Sequence, residues 1–231
     1  MAGHNKWSKV KHIKAAVDAK KGKVFSRISR ELTIAAKNGG RDPDLNPRLR
    51  TAISAAKAAN MPNDNVDRAI KKGLGELEGA AMEEITYEGY GPGGVALLIE
   101  CVTDNKNRSS ADVRTAFNKG GGSLGTPGSV MHQFHRKGEI KFPASAGSED
   151  AILEAALESG ADDVVSDPDE HTVYTAPDQL YAVAGAMKQR GFTAATSKLV
   201  YVPGTTITLT DVNSARAVLK LYDLLDDLDD T

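Results

Sequence analysis

The chain has 231 residues, 40% apolar, 26% charged and only 5% aromatic. This composition excludes a disordered chain and a membrane-embedded one, and it leaves room for two or three domains whose cores rest on Val, Ile, Leu and Ala. A single cysteine, Cys101, excludes an internal disulfide and a cysteine-based zinc site. The net charge of -2 conceals two opposed regions: residues 1–75 carry 17 Lys and Arg against 6 Asp and Glu, and residues 76–231 carry 12 against 25. Like charges disfavour compaction, so so one-sided a surface points to a polyanionic partner. No run of about 18 apolar residues spans a bilayer. The N-terminus lacks the apolar core of a secretory signal, and the expected location is cytoplasmic.

Residues 1–19 read as an arm, with Lys6, Lys9, Lys11 and Lys14 around Trp7 and no strong apolar stripe. Trp7 either stacks on a base or pins the arm to the helices behind it. Residues 20–38 read as a helix ending at Gly39, since glycine favours a helix C-terminus. Phe25, Ile28, Leu32, Ala35 and Ala36 share one face, and Lys20, Lys23, Arg27, Arg30 and Lys37 form a positive stripe nearly opposite. A second helix starts after Asn46 as N-cap, with Pro47 in the first turn. Its Ala-rich body permits close packing and leaves Arg48, Arg50 and Lys57 toward solvent. Met61-Pro62 breaks the chain, and a third helix runs to Gly73 with Val66, Ala69 and Ile70 inward and Arg68, Lys71 and Lys72 outward. No stretch marks a recognition helix, and Asn38, Asn60, Asn63 and Asn65 sit mostly at helix ends, where capping accounts for them. The predicted site is therefore Lys and Arg aimed at phosphates.

From residue 80 the period changes. ITYEGYG and VALLIECVT predict strands joined by the Gly-Pro-Gly-Gly turn at 91–94, and residues 108–119 predict a helix with Gly120 as its stop. A Gly-rich loop follows at 120–129, and VMHQF and GEIKF predict another pair of strands around Lys137-Gly138. Next come helix 148–159, strands 161–166 and 171–175, helix 177–190 and strand 195–202. With a strand at 139–142 counted first, the order is β-α-β-β-α-β, the ferredoxin-like arrangement. This stretch is acidic, with 10 Asp and Glu against 2 Lys and Arg over residues 145–190. TTITLT predicts a further strand and 211–228 an amphipathic helix, which return to the sheet begun at 85–103. The fold class is α+β multidomain: a basic helical domain at 1–78, a discontinuous middle domain at 79–138 plus 203–231, and an acidic ferredoxin-like domain at 139–202.

Little chemistry stands out. Gly120-x-Gly122-x-x-Gly125 matches the dinucleotide fingerprint by letter, but a helix precedes it and a strand follows, the reverse of what a pyrophosphate site needs. The loop either approaches a nucleic-acid backbone or is a plain connection. His132 and His135 fall on opposite faces of a strand, and the acidic cluster Asp162, Asp163, Asp167, Asp169, Glu170 lacks the spacing of a calcium loop. No nucleophile and base pair up. The reading is a non-enzyme without cofactor or metal.

Four stretches then carry a resemblance: MAGHNKWSKVKHIKAAVDAKKGKVFSRISREL, NPRLRTAISAAKAANMPNDNVDRAIKKG, YEGYGPGGVALLIECVTDNKNR and GGSLGTPGSV. The chain resembles the YebC-like family of presumed transcriptional regulators over essentially its whole length. The resemblance implies three domains, one helical and two α+β, in a cytoplasmic protein that binds DNA and regulates transcription. Mitochondrial relatives are regarded as translational activators and some bacterial ones as ribosome-associated, so ribosomal RNA is the alternative partner. The acidic domain is the expected meeting point for a protein partner. The family pattern continues past a stretch like LDDLDD into a short strand, whereas this sequence stops at Thr231. Either it is truncated or the middle sheet lacks an edge.

Overall fold

A computed structural model describes residues 4–231, with side chains from Lys21 onward. The chain divides into two compact units, Met1–Leu124 with Asp211–Thr231, and Gly125–Thr210. The first unit opens with α1 (His4–Gly39), α2 (Pro47–Ala58) and α3 (Asn63–Gly73). From His4 on, the stretch predicted as an arm is part of α1, which stops where Gly40 turns left-handed at φ +82°. Asn46 is the N-cap of α2, as its sequence position predicts: its Oδ1 accepts from the Leu49 N–H at 3.1 Å. The same buried amide donates to the Ala35 and Gly40 carbonyls at 2.7 and 2.9 Å, so one side chain starts α2 and closes the end of α1. Leu32, Ala35 and Ala36 pack with Leu49, Ala52, Ala56, Met61 and Ala69. These small residues bring the helices close. A Cβ on Gly73 would sit 2.2 Å from the Thr33 carbonyl oxygen, and Thr33 Oγ1 donates to the Ala69 carbonyl at 3.0 Å.

Beyond the helices, β1 (Glu83–Tyr90) and β2 (Ala96–Thr103) pair antiparallel across a single 3-10 turn at Pro92–Gly94. There Gly93 and Gly94 take φ values of 73° and 78° that other residues resist. After α4 (Lys106–Gly120), the Gly-rich segment is not wholly a loop: β3 (Ser123–Leu124) pairs with β1, giving a sheet of order β2-β1-β3.

The second unit contains β4 (Phe134–Pro143), α5 (Glu149–Glu158), β5 (Asp163–Ser166), β6 (Glu170–Thr175), α6 (Leu180–Gln189) and β7 (Thr196–Pro203). Its sheet runs β5-β6-β4-β7 with every neighbour antiparallel, the ferredoxin-like order. Ile140, Phe142 and Val173 of the sheet meet Ile152, Ala155 and Ala156 of α5 and Leu180, Val183 and Met187 of α6. One expectation fails here. VMHQF and GEIKF are not two strands, because Met131–Gln133 is a 3-10 turn and β4 passes straight through Lys137-Gly138. Gly138 serves close packing, not a turn: a Cβ there would lie 2.2 Å from Thr175 Oγ1 and 2.9 Å from Leu180 Cβ. Gly138→Ala is therefore expected to destabilise the second unit by about 1–3 kcal/mol, the usual cost of overpacking. Hydrogen exchange of the β4 and β6 amides measures it, and unchanged protection would remove the argument.

The chain then returns to the first unit through α7 (Val212–Asp226). TTITLT forms no strand, and Ile207 is exposed. Its alternation is right for a strand, but no sheet neighbour accepts it, and strand propensity without a partner does not make a ladder. Leu221 and Leu225 of α7 close a core with Ile99, Cys101, Val113, Ala116 and Phe117.

Candidate nucleic-acid interface

The thirteen-residue site predicted from sequence separates into three groups. The side chains of Lys6, Trp7, Lys9, Lys11, Lys14 and Lys20 lie outside the described residues. Lys23, Arg27, Arg30, Lys37 and Lys72 have partners within the protein. Lys23 Nζ lies 2.9 Å from Asp227 and 3.7 Å from Asp226. Arg27 Nη2 donates to Asp226 Oδ1 at 2.8 Å and to the Asp226 carbonyl at 2.5 Å. Arg30 Nη2 lies 3.2 Å from Asp230, Lys37 Nζ donates to the Met82 carbonyl at 2.7 Å, and Lys72 Nζ stands 3.8 Å from Asp104. Arg68 and Lys71 form the third group: both are exposed on α3 and make no ion pair among the described residues. Lys57, at the end of α2, is equally free.

Arg48, expected in solvent, is instead clamped by Glu31 and Glu84, each at 2.7 Å. Burial opposes its charge, but hydrogen bonds to both carboxylates outweigh that and raise its pKa.

The strongest ionic node is one the sequence reading missed. Asp230, 6% exposed, accepts from Ser109 Oγ at 2.6 Å, Thr103 Oγ1 at 3.0 Å and Arg108 Nη2 at 3.0 Å, with Arg30 completing the ring. Burial pushes its carboxyl up, while the bonds from Ser109, Arg108 and Thr103 pull it further down, to a net value below the ordinary one. Its carbonyl also accepts from the Val102 N–H at 2.8 Å, which fixes the segment along β2. The signal was present: the acidic run LDDLDD is complementary to the basic stripe, but about two hundred residues separate them.

Other candidates resolve into structure. In the Gly-rich segment, a Cβ on Gly120 or Gly122 would meet Leu221 at 2.7 or 2.9 Å, and Gly121 is the left-handed cap of α4 at φ 75°. Packing and capping account for these glycines. His132 sits in the 3-10 turn and His135 in β4, and among the described residues no group of His, Cys, Asp and Glu is arranged to hold a metal ion. Asp167 Oδ1 accepts from the Asp169 and Glu170 N–H groups at 2.8 and 2.9 Å, so Asp167 and Asp169 build the hairpin turn between β5 and β6, and these bonds hold the Asp167 carboxyl below the ordinary range. Cys101 is buried, and burial pushes its thiol up to about 12, where it is unreactive. No helix among the described residues is long and apolar enough to cross a membrane.

Residues 5–76 match a family model described as the TACO1/YebC protein N-terminal domain, and residues 82–231 match one described as the TACO1/YebC second and third domain. A "probable transcriptional regulatory protein" of Akkermansia muciniphila is 55% identical over the whole chain and 92% of its own length. Proteins of the same name from Opitutus terrae and Pseudomonas syringae are 51% and 52% identical, again over the whole chain and covering 93% and 92% of their lengths. The crystal structure of a conserved hypothetical protein from Aquifex aeolicus is similar with a TM-score of 0.87 at 47% identity, covering 93% of this chain and 88% of that one.

Proposed function

Because the chain belongs to the TACO1/YebC family, we propose that it is a non-enzymatic, cytoplasmic regulator of transcription that grips DNA through the phosphates. The observation that carries this reading is the basic helical region, whose exposed cations Lys57, Arg68 and Lys71 make no ion pair among the described residues. Unpaired cations clustered in a region with 17 basic and 6 acidic residues are the electrostatic footprint of polyanion binding. Asn46 is a buried helix cap, which leaves its side chain to the fold. The acidic second unit is unsuited to phosphate and is left to a protein partner.

The test is displacement of labelled duplex DNA by ribosomal RNA and by ribosomes near physiological salt. If about six cations neutralise phosphates, affinity falls about 10³-fold between 50 and 200 mM salt. Arg68→Gln with Lys71→Gln should reduce the slope of log affinity against log salt by about 2. DNA that resists a large excess of RNA supports the proposal. Ready displacement by ribosomes, with the protein held there in fixed ratio, moves the function to translation, and a flat salt response removes phosphate binding altogether.

A further inference from the structure

We infer that the acidic end of α7 is a built-in competitor for the phosphate-binding stripe of α1. Asp226 and Asp227 occupy Lys23 and Arg27, and a polyanion must displace them to engage that part of the helix. The inference rests on the phosphate-binding reading above.

The contacts come in two tiers. Asp230 is the anchor, buried and held by Arg30, Arg108, Ser109 and Thr103. Asp226 and Asp227 form the outer tier, with side chains 45% and 81% exposed, against Lys23 and Arg27 at 26% and 37%. Exposed ion pairs of this kind are weak and screened by salt, so the outer tier opens far more easily than the anchor. Asp226 engages Arg27 through Nη2 alone and leaves Nε buried without a partner among the described residues. That is short of the two-pronged fit an Arg makes with a well-placed oxyanion. The carboxylates use the same Nζ and Nη2 donors that a phosphate would use. While they are in place, a phosphate arriving at Lys23 or Arg27 releases no counterion there, and the stripe binds below its formal charge.

The experiment compares the full-length protein with Asp226→Asn/Asp227→Asn on labelled duplex DNA across a salt series. The variant is expected to bind about tenfold tighter at about 50 mM salt, with a salt slope steeper by about 2 for the two cations released. Asp227→Asn alone removes the nearer carboxylate from Lys23 but leaves Asp226 against Lys23 and Arg27, so it should give less than half of the slope change. Adding Lys23→Gln and Arg27→Gln to the double variant should cancel the gain. Glu154→Gln/Asp178→Asn makes the same change in net charge on exposed residues of the second unit and serves as the control. If the double variant binds as the parent does, or the control gains equally, the competitor is refuted while phosphate binding stands. If neither protein binds DNA in a salt-dependent way, the phosphate-binding reading falls and this inference with it.

Discussion

Asp230→Ala is expected to lower the unfolding free energy by about 3–5 kcal/mol, the cost of removing one partner from a buried ion pair. The mutation strips Arg30 of its carboxylate and leaves Ser109 Oγ and Thr103 Oγ1 only the Asn105 carbonyl, 3.2 Å from each, all at a site where α1, β2, α4 and residues 226–231 meet. The loss depends on pH in a defined direction. The folded carboxyl lies below its ordinary value, so its contribution is complete above the unfolded pKa and is lost as pH falls through the folded one. The gap between parent and variant should be constant at neutral pH and begin to close below about pH 4. Urea denaturation at a series of pH values measures this, and a gap that widens in acid would show that Asp230 does not carry it.

Phe117→Ala should cost about as much, roughly 3–5 kcal/mol, for a different reason. Phe117 is wholly buried and fits a slot made by glycine, since a Cβ on Gly89 would lie 2.5 Å from Phe117 Cζ and one on Gly122 2.9 Å from Cδ1. Both glycine backbones rest directly on the ring, so the space it leaves can be refilled only by moving backbone. The cavity term is then retained in full, which places the loss at the high end for a large-to-small change. Phe117→Leu, which refills most of the space, should recover most of the stability. Thermal melting of the two variants side by side decides the point; equal losses would mean that the slot relaxes.

What the sequence disclosed follows the distance over which each feature is decided. Asn46 capping α2 was legible because the cap, the proline after it and the apolar face all lie within one turn. The ferredoxin-like order was legible because the alternation of helix and strand periods fixes it with the usual connections. Gly138 was not, because a glycine that ends a strand and one that admits Thr175 and Leu180 look alike from their neighbours. TTITLT misled in the opposite way, having a strand's pattern and no strand to pair with. The candidate site shows the same division. The charges of Lys23, Arg27 and Arg30 were plain, but their occupancy by Asp226, Asp227 and Asp230 depended on a fold that closes the chain on itself.

That closure orders events during synthesis. Residues 125–210 are contiguous and make their sheet from near neighbours, so the second unit has all it needs as soon as its own length has emerged. The first unit does not, since Phe117 waits for Leu221 and Ser109 for Asp230. The segment made first is thus completed last, and its apolar faces on β2 and α4 stay uncovered while an entire unit is translated in between. A ribosome paused within residues 125–210 would hold an open first unit, the species most exposed to chaperones and to aggregation.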